Sequence, residues 1–131
     1  MIGLLLVAHA GLAGELLNAA EMIAGKIELA EAIGIGTADQ VDAIREAMAG
    51  AIGKVGTDGV IIMTDMFGGT PSNMGLSFLE ENRVEVLTGV NLPMVIKFAA
   101  DRGKYGVAEL AEILKKCGRE SISVAGDYLK K

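Results

Sequence analysis

The chain has 131 residues, 51% of them hydrophobic and 22% charged, a length and balance that fit one globular domain, 1–131, with a core of its own. Three Phe, two Tyr and no Trp leave that core to Ala, Val, Ile, Leu and Met packed closely against 18 Gly, and a formal charge of -5 argues against a nucleic-acid partner. The apolar start Met1 to Ala8 is too short to span a bilayer and lacks the basic flank of a secretory signal, so a cytoplasmic location is expected.

Taken in chain order, Ile2 to Ala8 (IGLLLVA) is a continuous apolar run of the kind that forms a strand buried on both faces. Leu12 to Ala24 carries apolar residues at helical spacing, and Gly25 is its expected stop. Ile27 to Ile35 contains a short strand. Thr37 and Gln40 have capping-box spacing and predict a helix running to about Val55. Gly59 to Thr64 (GVIIMT) is a second buried strand, followed by DMFGGTPSN and a helix to about Leu79. Val84 to Thr88 is a strand, and GVNLP leads into a helix over Met94 to Ala100. Val107 to Cys117 is a helix expected to stop at Gly118, and Ser121 to Val124 reads as a last short strand. Strands alternating with helices at this spacing predict an α/β fold: a doubly wound, mostly parallel sheet with helices on both faces. In such a sheet ligands bind beyond the carboxyl ends of the strands.

The unusual polar residues fall at those ends. His9, the single histidine, follows the first strand, Asp65 ends the strand Gly59 to Thr64, and Asn91 lies just after Val84 to Thr88. A neutral imidazole presents one ring nitrogen as a nucleophile at neutral pH. A carboxylate on the other nitrogen fixes the tautomer and stabilises the cation formed on attack, a role open to Asp65; an N-terminal loop cap is its other reading. Gly68 and Gly69 permit close backbone approach, Thr70 suits N-cap and Pro71 N1, so this segment opens a helix at which an anion is received, or forms only a tight turn. Asn91 ahead of Pro93 is a supporting loop residue with the chemistry of an N-cap.

Other chemistries find little support. One His and one Cys supply too few soft ligands for zinc, so no metal is expected, and Cys117 reads as a small buried residue near a helix end. No G-x-S-x-G, G-x-G-x-x-G or P-loop pattern occurs, and no cofactor is expected. A receiver-like domain needs clustered acids where His9 stands, and a flavin site needs loop aromatics of which Phe67 is the only candidate.

Together VAHAGLAGELLNAAEMI, VIIMTDMFGGTPSN and GVNLPM resemble the IIA component of the mannose-family phosphoenolpyruvate-dependent sugar phosphotransferase system. The resemblance implies a phosphotransferase with a phosphohistidine intermediate. His9 matches the phosphorylated histidine and Asp65 its orienting aspartate, while Thr70 with the backbone of Gly68 and Gly69 contacts the phosphoryl group. It implies a histidine-containing phosphocarrier protein as donor and a separate IIB component as acceptor, with the membrane reached only through a IIC/IID transporter. It also implies a homodimer in which the last strand crosses to the partner. Two positions depart from the family pattern: Ala8 stands where Ser or Thr is usual, and Ala10 where Gly usually follows the histidine. These changed flanks keep open a second role, a regulatory phospho-sensor that signals carbohydrate supply by docking to partners without transport.

Overall fold

In the computed structural model, which describes residues 1–129, the apolar run near the start of the chain forms strand β1 (Gly3–His9), buried up to its final residue. The chain then alternates through α1 (Leu12–Ala24), β2 (Ala30–Ile35), α2 (Val41–Val55), β3 (Val60–Thr64), α3 (Thr70–Leu76), β4 (Val84–Thr88), α4 (Leu92–Asp101) and α5 (Val107–Glu120) to a short 3-10 segment, Ala125–Leu129.

The four strands form one sheet in the order β2-β1-β3-β4, every neighbouring pair parallel. Because side chains alternate across a strand, β1 and β3 feed two cores. Leu4, Leu6, Ile61 and Met63 pack with Ala13 and Ala20 of α1, Phe98 of α4 and Leu110 and Leu114 of α5. On the other face Leu5, Val7 and Ile62 pack with Ile44, Met48 and Val55 of α2 and with Met74 of α3. Helices therefore cover both faces, and the central strands are apolar up to their last residues, His9 and Thr64, because neither face meets water there.

Register fixes the functional end of the sheet. Val7 lies level with Thr64, and Thr64 with Thr88, so the turns that follow β1, β3 and β4 emerge along one rim. At the opposite end the guanidinium of Arg102, just after α4, donates to the carbonyls of Ile2 and Glu28 and lies over the Phe98 ring.

Four expectations about where helices and strands begin and end need correction. Helix α2 starts at Val41 with Gln40 as its N-cap, and Thr37 is not its cap. The Asp39 carboxylate instead accepts the Gly36 N–H at 2.6 Å, and this local turn occupies the segment ahead of the helix. The helix after GGTP ends at Leu76 instead of near Leu79. Gly118 does not stop α5, which continues to Glu120. It is buried inside the helix, where a Cβ would lie 2.5 Å from Met94 Sδ, so glycine is there for close approach between α5 and α4. Finally, Ser121 to Val124 is no strand: within the described residues it has no neighbouring strand to take its hydrogen bonds, and it runs as a turn and coil into the 3-10 segment.

Candidate phosphohistidine site

His9 is the last residue of β1, and the chain reverses immediately after it. Ala10 adopts φ +52, the left-handed region where a Cβ is strained, and Gly11 is the N-cap of α1. Two contacts with β2 hold this turn. The Ala10 N–H donates to the Ile35 carbonyl at 2.9 Å, and the Ala10 carbonyl sits so close to Gly34 that a Cβ there would lie 2.3 Å from its oxygen. Ala8 is buried in the core and contributes no polar group to the rim.

Asp65 follows β3 and meets His9 from the neighbouring strand. Its Oδ2 accepts the His9 backbone N–H at 3.0 Å and lies 2.7 Å from His9 Nδ1. An ionised carboxylate only accepts, so this pairing puts the ring proton on Nδ1 and leaves the lone pair on Nε2. The His9 side chain is 49% exposed and that of Asp65 13%, so the imidazole is open to solvent while its carboxylate partner is recessed. Burial pushes the Asp65 carboxyl up, but the His9 backbone N–H and imidazole outweigh it and hold the group below the usual carboxylate range. Its second oxygen, Oδ1, is buried and has no hydrogen-bond partner among the described residues.

The glycine loop closes on the same ring. Gly68 has φ +87, and Gly69 passes so near His9 that a Cβ would lie 3.1 Å from Cε1 and 3.6 Å from Nε2. Any side chain at 69 would press on the Cε1–Nε2 side of the imidazole. The cap of α3 is Gly69 and not Thr70, because Gly69 already has the extended cap conformation; Thr70 is the first helical residue, with Pro71 in the first turn. Thr70 is exposed at the head of that helix, and Met66 and Phe67 are exposed apolar residues on the same loop.

Asn91 caps α4: its Oδ1 accepts the Met94 N–H at 3.2 Å and its Nδ2 donates to the Gly118 carbonyl at 2.9 Å. Both ends of its amide are thus spent in tying α4 to α5. The structure brings His9, Asp65 and Gly69 together and turns the Asn91 side chain toward α5.

The chain and its fold have counterparts in known proteins. The family described as "PTS system fructose IIA component", the mannose-type EIIA family, matches residues 3–115. The chain belongs to that family. Over 118 residues it is 29% identical to the sorbose-specific EIIA component of Lacticaseibacillus casei, covering 89% of this chain and 86% of that one. It is 34% identical to the fructose-specific EIIA component of Bacillus subtilis (strain 168) over 73 residues, 55% of this chain and half the length of that relative. Among solved structures, the mannose/sorbose-specific IIA subunit from Enterococcus faecalis superposes with a TM-score of 0.84 at 26% identity, over 94% of this chain and 93% of that one. An EIIA component from Streptococcus agalactiae shares the fold with a TM-score of 0.89 at 24% identity, over 97% and 99% of the two chains. The chain is thus a IIA component of the mannose type. Among the described residues no helix is long and apolar enough to cross a membrane.

Proposed function

We propose that this IIA component carries a phosphoryl group on Nε2 of His9, accepting it from the histidine-containing phosphocarrier protein and passing it to a separate IIB component for sugar uptake. The observation that carries this reading is the 2.7 Å contact between His9 Nδ1 and Asp65 Oδ2, which leaves Nε2 as the free nucleophile at an exposed rim. In the forward step the Nε2 lone pair forms a bond to phosphorus while the P–N bond of the donor breaks, and the bonding pair leaves with the donor's ring. The proton stays on Nδ1, and the positive charge gained by the imidazole lies against the Asp65 carboxylate. Gly69 gives the transferring group access to Nε2 because it has no side chain, while Gly68 and Thr70 frame the same approach. Met66 and Phe67 offer an apolar surface beside the histidine on which both carriers dock in turn.

We also propose a homodimer. Ile122, Val124, Tyr128 and Leu129 are all largely exposed at the end of the chain, and β4 is the edge strand nearest in sequence to them. Pairing this tail with the β4 edge of a second copy covers both.

Incubation with phosphoenolpyruvate, the general phosphotransferase enzyme and its carrier, followed by intact-mass measurement, tests the central claim. One acid-labile phosphoryl group is expected on the parent and none on His9→Ala; equal labelling of the two overturns it. Addition of a cognate IIB protein then discharges the label. Retention of the label against every IIB protein favours the regulatory role over transport.

A further inference from the structure

The backbone strain beside His9 has a partner on the adjacent strand. Ala10 holds φ +52 in a position where the side chain costs energy, and its carbonyl rests on Gly34 at a distance that excludes even a methyl group. Gly34 lies level with Ala8 in the β1–β2 register, and Ile35 lies level with His9 while accepting the Ala10 N–H. The turn is thereby clamped at both its N–H and its C=O by two successive residues of β2. One peptide earlier, the His9 backbone N–H points to the other side of β1, toward Asp65 Oδ2.

We propose that Gly34 is a positioning residue for His9, coupled to Ala10, whose absent side chain seats the strained turn that delivers the imidazole to Asp65. A methyl group at 34 displaces the Ala10 carbonyl, and Ala10 has little freedom to absorb the shift because its Cβ confines it to a small left-handed region. The strain passes instead to His9 and lengthens one or both of its contacts with Asp65. With glycine at 10 the turn has a wide range of φ and ψ, and the carbonyl can move without dragging the histidine.

The inference rests on the phosphocarrier reading only for its kinetic consequence; its geometric part is tested without phosphate. With a single histidine in the chain, the imidazole 15N resonances need no residue assignment, and their two-bond couplings to the ring C–H protons tell Nδ1 from Nε2 and so report the tautomer. The parent is expected to show a protonated Nδ1 and an unprotonated Nε2. Gly34→Ala is expected to show a mixed tautomer and a rate of phosphoryl acceptance lower by about 10- to 100-fold. The double variant Ala10→Gly/Gly34→Ala is expected to return both readings toward the parent, and Gly14→Ala, whose added Cβ meets open space in α1, to leave them unchanged. A Gly34→Ala protein that loses thermal stability but keeps the parent tautomer and rate makes Gly34 merely structural and overturns the proposal. So does a double variant no better than Gly34→Ala in folding, tautomer or rate. If the tautomer responds as expected but the parent never takes up phosphate, the phosphocarrier reading fails and the positioning role stands.

Discussion

A single oxygen, Oδ2 of Asp65, receives both the main-chain N–H and the Nδ1 edge of His9, at 3.0 and 2.7 Å. Two contacts from one residue to one atom fix the backbone and the ring together, so the imidazole is aimed by the strand that carries it as well as by its own rotamer. The carboxylate reaches His9 from β3, the strand next to β1, and the register that pairs Val7 with Thr64 is what brings the two residues side by side. Phosphoryl transfer depends on such alignment, because most of its catalysis lies in positioning and electrostatics.

Replacing Asp65 with Asn keeps the size and an acceptor oxygen but removes the charge that offsets the imidazolium. We expect Asp65→Asn to accept phosphate more slowly by about 10²-fold or more, each factor of ten corresponding to about 1.4 kcal/mol of barrier. Rapid-quench phosphorylation followed by mass measurement reads this. A rate within about threefold of the parent would mean that the charge contributes less than about 0.7 kcal/mol.

The Asp65 carboxyl also couples stability to pH. Burial raises its proton affinity, yet the His9 N–H and ring lower it further, and the balance leaves the folded-state value below the unfolded one. A group depressed in this way stabilises the fold fully above its unfolded value of about 3.9, and that contribution is lost as pH falls through the folded value. Asp58, held low by the N-terminal ammonium, and Asp101, held low by Lys97, behave alike in parent and variant and cancel in a comparison. The melting-temperature difference between the parent and Asp65→Asn is therefore expected to shrink on going from about pH 6 to about pH 3. A difference that stays constant or grows across that range contradicts the assignment.

Much of this was legible in the residues themselves. Unbroken apolar runs such as Gly59 to Thr64 announced strands buried on both faces, and the helical spacing in Leu12 to Ala24 matched α1 residue for residue. The placement of His9 and Asp65 at strand ends followed from the same alternation. What could not be read were contacts made by backbone across strands. Nothing local marks Gly34 as the seat for the Ala10 carbonyl, since that depends on which strand lies beside β1. Gly118 misled for a similar reason: glycine near a helix end suggests a stop, whereas here Met94 on a different helix dictates it. The tail after α5 has strand-forming composition, but a strand exists only where a neighbour completes its ladder.

The two kinds of helical glycine give opposite signs for one substitution. Gly50 lies inside α2, and a Cβ there meets nothing within 4 Å. Gly50→Ala is expected to stabilise by about 0.5–1 kcal/mol from helix propensity alone. Gly118 is equally helical, but its Cβ would meet Met94 Sδ at 2.5 Å and Cγ at 2.7 Å in a buried site. Overpacking of about 1–3 kcal/mol outweighs the propensity gain, so Gly118→Ala is expected to destabilise. Denaturant unfolding of both variants checks the pair, and a stabilised Gly118→Ala would show that α4 and α5 part without cost.

Arg102 supplies the corresponding test at the far end of the sheet. Its Nε and Nη2 donate to the Ile2 carbonyl at 3.0 and 2.6 Å, its Nη1 donates to the Glu28 carbonyl at 2.6 Å, and the residue is only 8% exposed. The guanidinium carbon lies 4.8 Å from the Phe98 ring centroid. These contacts join the start of β1, the segment ahead of β2 and the end of α4 through one planar fork. Arg102→Ala leaves two carbonyls without their donors and is expected to cost about 2–4 kcal/mol in denaturant unfolding. Lysine carries the charge but not the fork, and a compact ammonium cannot span both carbonyls while lying flat on a ring. Arg102→Lys is therefore expected to recover less than half of the loss. Because His9 sits at the opposite end of β1, the same lysine variant is expected to keep the parent histidine tautomer below its unfolding transition. A stability equal to the parent in Arg102→Lys would show that charge alone holds this end of the sheet together, whereas an altered tautomer would show that strain there travels the length of β1.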